Sequence, residues 1–128
     1  MPFMLKIRWE LKKGREAEFR ANQETLCRVM ADDHPGVICY HTDYPAVGVS
    51  EWTEIYATDS CFRAHLANPR GKTPLAACID ASAEIVCRCW GDPDAGSREL
   101  LAGFGTTYHQ TAPGSFVLNR RADRDSPV

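Results

Sequence analysis

No stretch of this 128-residue chain is long and apolar enough to span a bilayer. Neither sign of charge dominates: the formal net charge is −2 at pH 7, so a general nucleic-acid surface is not expected. The densest basic run is only Asn119-Arg120-Arg121, near the end of the chain. Met1-Pro2-Phe3-Met4-Leu5 runs straight into Lys6 and Arg8, which is not the layout of an export signal, and the expected compartment is the cytoplasm. There is no glycine-rich phosphate loop, dinucleotide fingerprint, serine elbow or HExxH, which argues against an ordinary flavin or nicotinamide enzyme. Repeats and low-complexity tracts are also missing. Histidine is scarce, with four in all.

Cysteine is not scarce. Six are present: Cys27, Cys39, Cys61, Cys78, Cys87 and Cys89. With no export signal and an adequate apolar fraction, they read as free and mostly buried thiols rather than a disulfide frame. Cys87 and Cys89 share a strand face and, with Cys39 or His41, would be the material for a metal site. A lone C-x-C without a second ligand pair at familiar spacing argues against one, and no metal is expected.

Residues Phe3 to Trp9 alternate apolar and polar in strand fashion. Gly14 opens a charged helical segment, Arg15 to Asp33, whose apolar stripe runs Phe19, Gln23, Leu26, Met30 with Asn22 and Val29 beside it. His34-Pro35-Gly36 ends it. Val37 to Tyr44 and Val47 to Tyr56 read as a hairpin around Pro45-Ala46. Thr58 or Asp59 caps a helix running to about Asn68, and Pro69-Arg70-Gly71 stops it. A second short helical piece starts at Thr73-Pro74 and reaches Ala83, and Glu84 to Trp90 is a fourth strand. The order strand, helix, strand, strand, helix, strand is the ferredoxin-like split βαβ arrangement of the α+β class. It predicts a four-stranded antiparallel sheet with helices on one face. The other face mixes apolar groups with Lys6 and Arg8, and pairing with a second copy would cover it, so a homodimer is expected. The expected division is one domain over residues 1–94 and a partly irregular or disordered extension over 95–128. Within the extension, Ser97–Phe104 reads as one or two more helical turns, Ser115–Leu118 as a short strand and Arg120–Val128 as disordered.

The chemistry-bearing residues gather around one helix. Phe62, His65 and Leu66 share a face by their i, i+3, i+4 spacing, so the imidazole is carried inward with the apolar side chains. It is then either a satisfied core histidine or a group that moves a proton. Glu54 is its natural partner: as a working pair the carboxylate fixes the imidazole, and as a structural pair it ties helix to sheet. Trp52 and Tyr56 share a strand face with Glu54, and with Trp9 and Phe62 they form either plain core or the walls of a flat aromatic pocket. Asn22 and Gln23 lie in position to hydrogen-bond a substrate oxygen, unless the buried stripe is narrower and both are wet.

The run His34-Pro35-Gly36, Tyr40, Glu54-Ile55-Tyr56, Phe62-Arg63-Ala64-His65-Leu66 and Asn68-Pro69 resembles the antibiotic biosynthesis monooxygenase (ABM) domain over roughly Phe3 to Trp90. That family has a proline-glycine before its second strand, a glutamate, spacer and aromatic at the end of its third, and an alanine-histidine-leucine on the next helix. The resemblance implies a dimeric α+β barrel with a pocket between sheet and helices. Arg70 follows Asn68-Pro69 where many members carry histidine. The first strand offers Arg8 and Trp9 where the haem-degrading branch has asparagine, which speaks against haem. The implied function is a monooxygenase without metal, flavin or other cofactor. It would act on a small electron-rich aromatic, a quinol or anthrone, with O₂ as the other substrate. Catalysis would fall to His65 and Glu54, and binding to Trp52, Tyr56, Phe62, Asn22 and Gln23. The alternatives are a non-catalytic ligand-binding dimer module and an isomerase or proton-transfer enzyme on the same fold.

Overall fold

A computed structural model describes residues 2–111. The expected strand at Ser115–Leu118 and the expected disorder of Arg120–Val128 lie outside the described residues. The elements are β1 (Phe3–Leu11), α1 (Glu16–Asp33), β2 (Val37–Ala46), β3 (Val49–Tyr56), α2 (Asp59–Ala67), α3 (Pro69–Asp80), β4 (Ser82–Gly91), α4 (Ala95–Ala102) and β5 (Thr107–His109). This is the α+β, ferredoxin-like arrangement. The sheet order is β2-β3-β1-β4-β5. Its first four strands are antiparallel, and β5 adds a parallel edge to β4 with Cys89 opposite Tyr108. The sheet therefore has five strands rather than the expected four. A three-residue strand carries too little periodicity to be read from sequence, and the α4 crossover makes its parallel pairing possible.

The alternation of β1 sorts the two faces. Phe3, Leu5, Ile7 and Trp9 are buried beneath the helices, while Lys6 and Arg8 lie exposed on the opposite face. The register puts Glu54 opposite Leu5, Trp52 opposite Ile7 and Ser50 opposite Trp9 on β3, with Cys89, Cys87 and Ile85 answering from β4. Onto this inner face α1 packs Phe19, Leu26 and Met30, α2 packs Phe62, α3 packs Cys78 and α4 packs Leu101. Through Leu101, with Phe104 packed beside it, α4 and the turn after it contribute to the same core.

Two helix boundaries differ from the expectation: α3 starts at Pro69 rather than at Thr73, and it ends at Asp80 rather than at Ala83. Pro69-Arg70-Gly71 follows the end of α2, as expected, and also starts α3. Asn68 closes α2 through its backbone N–H, which donates to the His65 carbonyl at 3.2 Å, and opens α3 through its side-chain oxygen, which accepts from the Arg70 N–H at 3.0 Å. Pro69 then takes the first helical position, where its missing N–H costs nothing. A Cβ at Gly71 would meet the Leu26 and Val29 side chains at 3.8–3.9 Å, ordinary contact distances across the α1–α3 interface.

Candidate functional site

His65 is carried inward as its spacing demands, with 5% of its surface exposed. Its ring lies 6.2 Å from that of Tyr56 in a stacked orientation, 6.1 Å from Tyr40 and 5.4 Å from His34, the last two edge-on. Its Nδ1 is buried and has no hydrogen-bond partner among the described residues. Burial pushes the imidazole pKa down to about 4, with the neighbouring His34 adding to the effect, so the ring is neutral at physiological pH.

Glu54 is also buried, at 4% exposure. The Tyr56 hydroxyl donates to its Oε1. Desolvation raises the carboxyl pKa to about 7 and outweighs the Tyr56 hydrogen bond, which acts the other way. Near neutrality a large share of Glu54 is therefore an uncharged acid, able to donate as well as accept. The expected His65–Glu54 pairing is not formed. Tyr56 holds the carboxylate instead, and His65 has burial and His34, not Glu54, as the causes of its shift. His65 is neutral at physiological pH and so offers Glu54 no full charge to pair with.

His65 and Glu54 nevertheless open onto one cavity. Trp52, Trp9 and Tyr40 form its aromatic side, Phe62, Leu66 and Leu75 come from α2 and α3, and Leu5, Ile7 and Cys87 form its floor. Leu101 and Phe104 close it from the segment after residue 94. The space open to a water centre is about 20 Å³, enough for one water-sized occupant, within a gap of about 370 Å³ between the lining atoms. A flat aromatic guest must therefore displace side chains; Leu101 lies on α4, the shortest of the four described helices, and Phe104 follows it. Helix α4 is held to α2 by polar contacts: Arg63 grips both carboxylate oxygens of Asp94 at 2.6 and 2.8 Å, and Ser97 Oγ donates to Asp59 at 2.6 Å.

The other expected site residues divide. Trp52 and Phe62 line the cavity. Tyr56 is fully buried behind it and is hydrogen-bonded to Glu54. Gln23 is buried, but both ends of its amide are taken: Nε2 donates to Thr42 Oγ1, and Oε1 accepts from the Tyr44 hydroxyl. It fastens α1 to β2 rather than facing a guest. Asn22 turns back on its own helix, donating to the Glu18 carbonyl at 2.9 Å. Neither lines the cavity, because the α1 stripe above it is filled by Phe19 and Leu26. Cys87 and Cys89 face the helices and are buried, whereas Cys39 and His41 lie on the opposite face, so the strand register separates them. Burial pushes the Cys87 thiol up to about 11, which makes it a wall and not a nucleophile.

His34 and Tyr40 belong to the family-like run but carry no site role from the sequence, and Leu101 and Phe104 lie in what reads as an extension beyond the domain. His34 is 8% exposed and its Nε2 sits 3.0 Å from Asn68 Nδ2. Because Asn68 Oδ1 caps α3, the amide orientation is fixed and Nδ2 must donate, so His34 Nε2 accepts and its proton resides on Nδ1.

No family model matches the chain, and no curated protein matches it either. Solved structures do. A candidate antibiotic biosynthesis monooxygenase from Caulobacter crescentus matches with a TM-score of 0.64 at 19% identity, over 73% of this chain and 91% of that one. MupZ from Pseudomonas fluorescens matches with a TM-score of 0.69 at 13% identity, over 91% of this chain and 98% of that one. A candidate antibiotic biosynthesis monooxygenase from Bacteroides thetaiotaomicron matches with a TM-score of 0.63 at 19% identity, over 67% and 84% of the respective chains. At these identities the likeness shows the fold: this chain has the ferredoxin-like fold of proteins named as ABM-type monooxygenases. The extent of the MupZ match carries that likeness past residue 94.

Proposed function

We propose that this protein is a cofactor-independent monooxygenase acting on a small electron-rich aromatic of the quinol or anthrone type, as a homodimer in the cytoplasm. The observation that carries the reading is a neutral, buried imidazole with an unpartnered nitrogen, set in the wall of a largely apolar and aromatic cavity. Such a group accepts a proton from a weakly acidic C–H or O–H without first having to lose one of its own. The six thiols are all free, in keeping with a reducing compartment. The outer sheet face leaves Val86 41% exposed beside Arg8 and Arg88, a mixed surface suited to a second copy.

For an anthrone the steps balance as follows. His65 takes one proton from the ring CH₂, leaving an electron-rich enolate. The enolate transfers one electron to O₂, and the radical pair collapses to form a C–O bond. His65 returns its proton to the terminal peroxide oxygen. Loss of the remaining C–H proton with hydroxide, as water, breaks the O–O bond and leaves a carbonyl. Carbon has been oxidised by four electrons and O₂ reduced to the carbonyl oxygen and water, with no other reductant. Glu54, in large share uncharged near neutrality, donates a hydrogen bond to the peroxide oxygen forming at the reacting carbon and so stabilises the charge that develops there. Trp52 and Phe62 hold the ring plane.

Oxygen uptake with a panel of quinols and anthrones, in the presence of a chelator, tests the reading. Uptake by the wild-type protein that collapses in His65→Ala supports it. Turnover with no oxygen consumed would identify a proton-transfer enzyme, and binding with no turnover a ligand-binding module.

A further inference from the structure

Among the described residues, three buried side-chain polar atoms lack a hydrogen-bond partner: Trp9 Nε1, His65 Nδ1 and Thr111 Oγ1. Thr111 is the last residue described. The other two belong to residues that line the same cavity. Trp9 has no exposed surface at all, and a buried indole N–H is expected to have a partner because leaving one unmet forfeits its hydration without replacement. Its neighbour sharpens the point. Trp52, with its ring 4.6 Å from that of Trp9, donates its own Nε1–H to Ser50 Oγ at 3.0 Å. Ser50 sits opposite Trp9 in the register, yet serves Trp52 and passes no oxygen to Trp9.

The two orphans stand at different levels of the sheet. Trp9 lies in the Ser50 row, and His65 lies against Tyr40, which pairs with Glu54. Those rows are four residues apart along β3, about 13 Å at 3.3 Å per residue, less the convergence of side chains on one cavity.

We infer that Trp9 is the second polar anchor of this site, and that its guest is a fused-ring phenol or enol carrying a carbonyl oxygen at the end remote from the acidic group. The carbonyl accepts from Trp9 Nε1–H while the acidic group meets His65 Nδ1. This rests on the aromatic-guest reading above and adds the pattern of oxygens to it. A single ring with one hydroxyl satisfies only one of the two atoms. An aromatic with oxygens at both ends satisfies both and recovers the cost of each.

A matched pair of bicyclic probes tests this: 6-hydroxy-1-tetralone, with a carbonyl remote from its phenol, and 5,6,7,8-tetrahydro-2-naphthol, the same skeleton without it. By anaerobic calorimetry the wild-type protein should bind the ketone about tenfold more tightly, the equivalent of one hydrogen bond near 1.4 kcal/mol. Trp9→Phe should erase that preference while leaving the affinity for the naphthol within a few-fold, since packing losses fall on both probes alike. In the unaltered protein, the Trp9 indole ¹H–¹⁵N signal should move downfield with the ketone and not with the naphthol, a readout that needs no variant. A preference that survives in Trp9→Phe, or an indole signal unmoved by bound ketone, overturns the role of Trp9 while the aromatic-guest reading stands. If the wild-type protein binds neither probe, both fall together.

Discussion

The two halves of the inner sheet face treat their polar groups in opposite ways. On the β2 side, Gln23 of α1 is buried against β2 and both ends of its amide are met, by Thr42 and by Tyr44. Around the cavity, His65 Nδ1 and Trp9 Nε1 are equally buried and met by nothing described. The first arrangement is a fastening: it stabilises one packing of helix on strand and leaves no valence for a ligand. The second leaves polar atoms unmet at a steady cost in stability, and the proposed binding site rests on that pattern. Burial alone does not separate these cases; the accounting of partners does.

The contrast is broken most strongly at His65. His65→Ala should lower turnover of an accepted aromatic by about 10²–10⁴-fold while the protein remains folded, measured as oxygen uptake alongside a thermal melt. Equal losses of activity and folded protein would make the imidazole structural.

Next comes the pH dependence of stability, where the two neutral groups have opposite signs. His65, lowered from 6.5 to about 4, contributes stability that is complete above pH 6.5 and lost as pH falls through 4. Glu54, raised from 4.5 to about 7, contributes stability that is complete below pH 4.5 and lost as pH rises through 7. Between these limits the slopes oppose each other and the wild-type profile should be nearly flat. Glu54→Gln removes one of them, so its urea midpoint relative to wild type should climb steadily from pH 4.5 to 7, by the equivalent of a few kcal/mol. A difference that is constant with pH would place the Glu54 titration elsewhere.

Gln23→Ala belongs to the other half. It should cost about 1–3 kcal/mol in denaturant unfolding, because Thr42 and Tyr44 lose their partner, and should leave the kcat of the folded protein unchanged. A kcat loss without a stability loss would move Gln23 into the site. The smallest effect is expected at Arg63→Ala. The pair with Asp94 is partly exposed, so the loss should stay below about 1 kcal/mol. Amide exchange across Ala95–Ala102 should nonetheless quicken, since that ion pair helps hold α4 over the cavity.

Much of the architecture is legible in the chain. The alternation of Phe3 to Trp9 fixes which face of β1 is buried, and the i, i+3, i+4 spacing of Phe62, His65 and Leu66 carries the histidine inward, because both signals are local and periodic. The α2–α3 junction is not legible, because Pro69 and Gly71 read as breakers and only the double use of Asn68 turns them into a helix start. The partners of Gln23 and Glu54 depend on which hydroxyl the register brings within reach: Tyr56 in place of His65, Thr42 and Tyr44 in place of a guest. His34 looks isolated in sequence and stands 5.4 Å from His65 only because α1 ends beside α2. An unmet N–H such as that of Trp9 leaves no mark in the sequence at all.

The central claim is that the hollow beside His65 admits an aromatic ring. The most direct measurement is a crystal structure of the protein grown without oxygen in saturating 6-hydroxy-1-tetralone. The account predicts ring density beside Trp52 and Phe62, the phenol within hydrogen-bond reach of His65, and Leu101 or Phe104 moved outward to make room. A ligand seated anywhere else, or a cavity still closed to about one water at saturation, would contradict it.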